Sequence, residues 1–352
     1  MEKIGAALLS FGMSGRVFHA PFLDLHSGFE LLGSWERSSK KIEEAYPGVK
    51  SYESLEAVLD DPEVTLVVVN TPTYTHYDYA RKALEAGKHI IVEKAFVSTT
   101  KEARDLAALA QDKGLHIGVF QNRRFDSDFR TVKSVLDKGL IGEVVEASIA
   151  FHRYKAELSP KTHKEIPSAG AGIIKDLGAH VIDQALALFG LPKSVFADIG
   201  ITRPDSQVDD YFDILLRYEG DLRVHVKGGY YFREPTPEFA FYGRKGTFLK
   251  SRSDVQEDQL QAGMKPDDPA YGLESDDDKG LLHTEVEGEI IKENIPTLPG
   301  DYKAYYAEVY AALTGKGKMP VTAEDGIQVM QVIDAAFLSA KEGKVIPLDL
   351  ES

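Results

Sequence analysis

The order of apolar and helical segments predicts an α/β protein of two domains. The first is a Rossmann domain with a doubly wound parallel sheet, and the second an α/β domain on an open, largely antiparallel sheet. Three observations predict it. Short apolar runs alternate with helical stretches as far as about Gln121, a glycine-rich turn follows the first run, and beyond Gln121 longer alternating runs succeed one another without helices between them.

Ile4 to Leu9 is apolar and ends in a turn-rich segment, and Phe29 to Trp35 is the next apolar run, so the chain opens strand, loop, helix, strand. The alternation continues with a helix around Leu55 to Leu59, a β-rich run from Val64 to Asn70 and a helix from about Tyr77 to Ala86. A strand at His89 to Val92, a helix from about Lys101 to Asp112 and a strand at His116 to Phe120 complete it. These elements make a dinucleotide-binding domain over residues 1–121. Residues 122–352 form a substrate-binding and oligomerisation domain. There a helical stretch, Phe129 to Leu136, leads into Glu143 to Tyr154, Tyr211 to Tyr218 and Leu222 to Tyr231, whose alternation suits a sheet solvated on one face. Asp254 to Lys279, acidic and rich in Pro and Gly, reads as a long surface loop. Two helices return between Tyr302 and about Ala340, and a short strand follows at Val345 to Leu348.

The 352 residues suffice for two sizeable cores, and a formal charge of -15 argues against a nucleic-acid partner, which requires a basic surface. Any phosphate must be held by local groups. Without cysteine there are no disulfides or thiolate metal sites. The first apolar run is too short to span a membrane and flows into a glycine loop instead of a cleavage site, so the expectation is a cytoplasmic protein with no membrane partner.

The first loop reads Ser10-Phe11-Gly12-Met13-Ser14-Gly15, a dinucleotide fingerprint in which Ser10 stands at the first glycine position. Gly12 lets backbone approach a pyrophosphate beside Met13 and Ser14, and Gly15 lets the helix pack closely on the strand. After the second strand, Glu36 would hold a ribose 2′-hydroxyl, whereas Arg37 and Ser38, with Lys40 and Lys41 close by, would hold a 2′-phosphate. The cluster favours NADP, with NAD as the other cofactor. Asn70-Thr71-Pro72 and His76 follow the Val67-Val68-Val69 strand at the sheet edge where ligands bind, although Pro72 equally suits a helix start and His76 a helix surface.

Glu93 and Lys94 end another strand at that edge, where a lysine ammonium stabilises oxygen charge developing during hydride transfer. Asp176 and His180 stand four apart in GIIKDLGAH, a spacing that puts both side chains on one helix face if a helix begins near Lys175. His180 suits the base that removes an alcohol proton, and Asp176 suits the group that fixes its tautomer or binds a substrate hydroxyl. Lys94 is the competing base, since burial beside a cationic ring lowers a lysine pKa. Arg123, Arg124, His152, Tyr154 and His163 are further candidates for the cleft, and equally ordinary strand-end or loop residues. Asp176 and His180 with His152 or His163 would be a metal set only with a fixed third ligand, which the pattern lacks, so no metal is expected.

These residues, in this order, resemble the glucose-fructose oxidoreductase/inositol dehydrogenase/rhizopine catabolism (Gfo/Idh/MocA) family over nearly the whole chain. The runs Ser14-Gly15-Arg16-Val17-Phe18-His19-Ala20-Pro21-Phe22, Gln121 to Phe129, Asp176 to Gln184 and Pro320 to Gly326 look most like its NADP-dependent scyllo-inositol dehydrogenase branch. The resemblance implies catalysis by Lys94 and His180 with Asp176 beside them. It gives Gly12 to Gly15, Thr71, Pro72, His76 and Glu93 to the cofactor, and Asn122 joins that set at the end of the first domain. It also implies a homodimer or homotetramer made through the second sheet. Two residues depart from the family pattern. Ser10 replaces a glycine, and Ala95 replaces the proline that usually follows Glu-Lys, which leaves the peptide geometry at Lys94 open.

The reading that follows is an NADP-dependent oxidoreductase acting on a secondary alcohol of a cyclic polyol or sugar, or on the matching ketone. An NAD-dependent glycosidase-type hydrolase on the same fold is an alternative, as is a non-catalytic sensor of cofactor or sugar. Retention of Lys94, Asp176 and His180 together speaks against the sensor.

Overall fold

The structure, a computed structural model, describes residues 3–36, 40–160, 165–234 and 236–348. Its chain forms two compact units. Residues 1–122, 256–271 and 301–327 make the first, and residues 123–255, 272–300 and 328–352 the second.

In the first unit, β1 (Ile4–Leu8), β2 (Phe29–Trp35), β3 (Lys50–Tyr52), β4 (Leu66–Val69), β5 (His89–Glu93) and β6 (Ile117–Phe120) form one sheet in the order β3-β2-β1-β4-β5-β6. Every pairing is parallel. Helices on the crossovers cover both faces, which is why Val67, Val68 and Val69 are all fully buried where a one-sided strand would alternate. Burying each such side chain stabilises the fold by roughly 1.5–3 kcal/mol. The helix Thr100–Asp112 between β5 and β6 begins with a capping box, in which Thr99 accepts from the Glu102 amide and Glu102 accepts from the Thr99 amide. Strand order reverses between β1 and β4, and the chain leaves the carboxyl ends of both there. Such a switch point is where ligands enter a doubly wound sheet.

Chain far from β1 completes this core. Helix Tyr302–Leu313 buries Tyr302, Tyr305 and Tyr306 completely. Tyr306 stacks on Phe22 (ring centroids 5.4 Å apart), and Tyr305 meets Phe120 edge-on at 4.9 Å.

The second unit holds β7 (Val144–His152), β8 (Ser194–Gly200), β9 (Tyr211–Arg217), β10 (Arg223–Gly229), β11 (Phe239–Gly243), β12 (Gly246–Lys250), β13 (Gly280–Val286), β14 (Glu289–Ile295) and β15 (Ile346–Pro347). They form one sheet ordered β14-β13-β12-β11-β7-β10-β9-β8-β15. The α/β class is as expected: the second sheet is antiparallel except where β7 and β10 run parallel. Along β9, Phe212, Ile214 and Leu216 are buried and the intervening residues are not, the period of a sheet with one covered face.

The segment expected as a long surface loop, Asp254 to Lys279, is anchored instead. It contains the helix Gln256–Gln261, and Gln256, Leu260 and Tyr271 are buried. Glu274 pairs with the fully buried Lys250 at 2.6 Å. Its anchors follow no apolar period, and its acidic, Pro/Gly-rich composition conceals them. No helix among the described residues is long and apolar enough to cross a membrane.

Candidate active site

The glycine loop leaves β1 as expected. Ser10 makes the first turn without a glycine: its hydroxyl accepts from the Gly12 amide at 3.2 Å, and its carbonyl accepts from the Asn70 side chain at 2.8 Å. That carbonyl explains Gly15, because a Cβ there would run into it. Gly12 and Met13 are exposed and Gly15 is buried, the division a backbone cradle for a pyrophosphate needs. The chain then makes a π-helical turn, Gly15–His19, before the helix Ala20–Leu25.

Across the switch point, the buried Asn70 Oδ1 has no hydrogen-bond partner, leaving an acceptor for a bound donor. Thr71 bonds Thr75 through their hydroxyls at 2.6 Å, and Thr75 donates to the Pro72 carbonyl. Pro72 directly precedes the short 3₁₀ turn Thr73–Thr75. His76 is buried, with Nε2 2.8 Å from the Thr71 carbonyl and Nδ1 3.0 Å from that of Ala95. Burial pushes its pKa down against the opposing pull of these carbonyls and of Glu93. The ring braces the Thr71 loop against the chain following Lys94.

Glu93 ends β5 at the same edge. Its carboxylate accepts from Ser14 Oγ at 2.6 Å, contacts His19 Nε2 at 3.0 Å, and accepts from the Lys94 amide at 3.3 Å. Burial pushes its pKa up, but the hydrogen bonds and charge of His19, the Ser14 bond and the Lys94 charge outweigh that, so the net shift is downward. Glycine loop and β5 end are therefore tied together. The Lys94–Ala95 peptide is cis, the geometry left open by the missing proline. Asn122 is buried at the start of the 3₁₀ turn Asn122–Phe125.

Glu36 directly follows β2. Its two carboxylate oxygens accept from the Lys41 and Ile42 amides at 3.3 and 3.0 Å, so it caps the helix Lys41–Ala45. Arg37 and Ser38 lie outside the described residues, as does His163.

Asp176 and His180 belong to the second unit and Lys94 to the first. A helix does begin near Lys175, but its first turn, Ile174–Gly178, is π-helical and runs into the α-helix Ala179–Phe189. The extra residue in that turn rotates Asp176 about the axis relative to a plain α-helix. His180 is buried and Asp176 half-buried. Asp209 anchors the turn by accepting from the Ile174 amide at 2.9 Å, and burial pushes its carboxyl pKa up. Gly172, at φ +93°, lies so close to the Asp209 carboxylate that a Cβ would overlap it.

One turn beyond His180, Gln184 accepts from Arg252 at 2.9 Å and donates to the Arg123 carbonyl at 3.0 Å. Arg124 forks onto Asp183 at 2.7 and 2.8 Å. His152 stacks on Phe232 with centroids 3.9 Å apart. Sequence reasoning placed Asn70 at the ligand-binding edge of the sheet but missed His19, Tyr306 and Asp209, which carry no local signal. Among the described residues, no group of three or more His, Cys, Asp or Glu side chains is placed to hold a metal.

Comparison with known proteins agrees with this architecture. Residues 4–121 match the oxidoreductase family's NAD-binding Rossmann fold, and residues 133–348 its C-terminal alpha/beta domain. The chain is 33% identical to the scyllo-inositol 2-dehydrogenase (NADP(+)) IolW of Bacillus subtilis, over 99% of this chain and 97% of that protein. It is 37% identical to the uncharacterized oxidoreductase YdgJ of Escherichia coli, over 97% of each. A crystal structure of an oxidoreductase from Bacillus cereus superposes with a TM-score of 0.92 at 30% identity, covering 100% of both chains. With both parts matched and relatives similar from end to end, this chain belongs to the Gfo/Idh/MocA oxidoreductase family.

Proposed function

We propose that this family member is an NADP-dependent dehydrogenase that oxidises a secondary alcohol of a cyclic polyol or sugar, or reduces the matching ketone. One observation carries the reading: the glycine loop, the Asn70-Thr71-Pro72 turn and Glu93-Lys94 all leave the carboxyl edge of one parallel sheet around its switch point. The open backbone at Gly12 and Met13 and the unpartnered Asn70 Oδ1 fit a dinucleotide there. Likeness to IolW supports the cyclic polyol and NADP.

The capping role of Glu36 also supports NADP. With one bond from a helix amide on each oxygen, Glu36 has less capacity left for a ribose 2′-hydroxyl, and Arg37 and Ser38 are the groups proposed to meet a 2′-phosphate. The bound nicotinamide supplies the hydride acceptor or donor. Lys94 stabilises charge on the substrate oxygen, and His180, oriented by Asp176, holds or releases the hydroxyl proton. The open face of the second sheet, where Phe196 and Tyr242 remain exposed, suits a second copy of the chain in a dimer or tetramer.

The test is a screen of inositol isomers, sugars and their keto forms with both cofactors, followed at the reduced-nicotinamide absorbance band. Formation of NADPH with a cyclic polyol is expected. No change with any polyol or sugar, or product sugar released with no net cofactor reduction, would overturn the reading.

A further inference from the structure

We propose that His19 is a positioning residue, held as an imidazolium between Tyr306 and Glu93, and that its charge fixes the carboxylate to which the Lys94 backbone is tied. The inference rests on the role assigned to Lys94 above, but its grounds are the hydrogen bonds of one buried cluster.

The Tyr306 hydroxyl lies 2.7 Å from the Phe18 carbonyl oxygen, which only accepts, so the single phenolic proton points there. The same hydroxyl oxygen lies 2.7 Å from His19 Nδ1. With its proton already given to Phe18, Tyr306 accepts, and Nδ1 carries a hydrogen. Burial, with Tyr305 and Glu93 nearby, pushes the Tyr306 pKa well above its ordinary value, so the phenol keeps its proton.

On the other side of the ring, Nε2 is 3.0 Å from Glu93 Oε1, which already accepts from Ser14. A carboxylate only accepts, so Nε2 also carries a hydrogen. Donation from both nitrogens makes the ring a cation. His19 and Tyr306 have no exposed surface, and the Glu93 side chain is 13% exposed, so the ion pair is shielded from water and each charge depends on the other. Phe120, 4.5 Å from the imidazole centroid, closes one side. The result is a chain of contacts from the Tyr302–Leu313 helix through His19 to Glu93, and from Glu93 to both the glycine loop and Lys94. Removing the imidazolium would take the largest of its stabilising partners from the buried Glu93, leaving the Ser14 bond, the Lys94 amide and the Lys94 charge, and its relaxation would move both ends of the cofactor edge.

Two measurements test this. In the full chain labelled with 15N-histidine, with His19 assigned by its loss in His19→Gln, both ring nitrogens should resonate as imidazolium, and Glu93→Gln should turn the ring neutral. If His19→Gln does not fold, Tyr306→Phe keeps the imidazole and identifies it by its shift. A neutral ring in the wild type would overturn the proposal. In kinetics, His19→Gln should lower kcat about tenfold or more while polyol KM stays within about twofold. Because its loss acts through the charge left on Glu93, His19→Gln/Glu93→Gln should be no worse than Glu93→Gln alone, within about twofold. Additive losses, or wild-type kcat in His19→Gln, would also overturn it. A wild type that turns over no polyol defeats the functional reading, while the resonance measurement still decides the state of His19.

Discussion

In the proposed function Arg37 meets the NADP 2′-phosphate, while Glu36 accepts from two amides of the next helix. Arg37→Ala should therefore weaken NADP relative to NAD by about 1.5–3 kcal/mol, or roughly ten- to hundredfold, as read by titration calorimetry. Equal losses for both cofactors would make Arg37 structural. His180→Asn should abolish most turnover together with the rise of the oxidation rate with pH that a histidine base produces, whereas Asp176→Asn should keep the fold and cofactor affinity but slow turnover. A pH limb surviving in His180→Asn would transfer the base role to Lys94. The pH-rate profiles of the two variants read this directly.

At the scale of elements, the second unit depends on a buried ion pair that composition conceals. Lys250 Nζ uses its three donors on Glu274, Ser253 and the Asp278 carbonyl, each at 2.6 Å, and Glu274 also accepts from Ser127. Lys250→Met leaves that carboxylate buried without its partner and should cost about 3–5 kcal/mol in denaturant unfolding. A loss below about 1 kcal/mol would show that the pair is dispensable. This pair also marks where the sequence is hard to read. Strands such as Val67 to Val69 announce themselves because burial on both faces demands a continuous apolar run, and the glycine loop because Gly15 has no room for a Cβ. The Asp254 to Lys279 segment is held by isolated anchors, so no period betrays it. The π-helical turns at Gly15–His19 and Ile174–Gly178 were equally hidden, since one extra residue in a turn leaves the local apolar pattern nearly unchanged. Tyr306 lies 287 residues from His19, and nothing local links them.

For the whole molecule, the second sheet bears on the proposed assembly and on acid tolerance. Light scattering after size exclusion should give a dimer or tetramer, and Phe196→Glu with Tyr242→Glu should shift it toward monomer. A wild-type monomer at micromolar concentration would contradict assembly through this face. Burial, with Lys227 and Arg252 nearby, pushes the His152 pKa down to about 4, below the value of about 6.5 in an unfolded chain. Its folded-state pKa is depressed, so its contribution to stability is present above pH ~6.5 and is lost as pH falls toward ~4. His152→Gln should flatten the dependence of unfolding free energy on pH in that window; an unchanged slope would show that the ring charges as easily in the folded protein. Lys94 bears the charge stabilisation on which the proposed hydride transfer depends, and comparing NADP binding and turnover in the wild type and Lys94→Met with a saturating cyclic polyol tests it. Cofactor affinity should stay within about threefold while turnover falls by about two to four orders of magnitude; turnover near the wild-type rate would remove Lys94 from the chemistry.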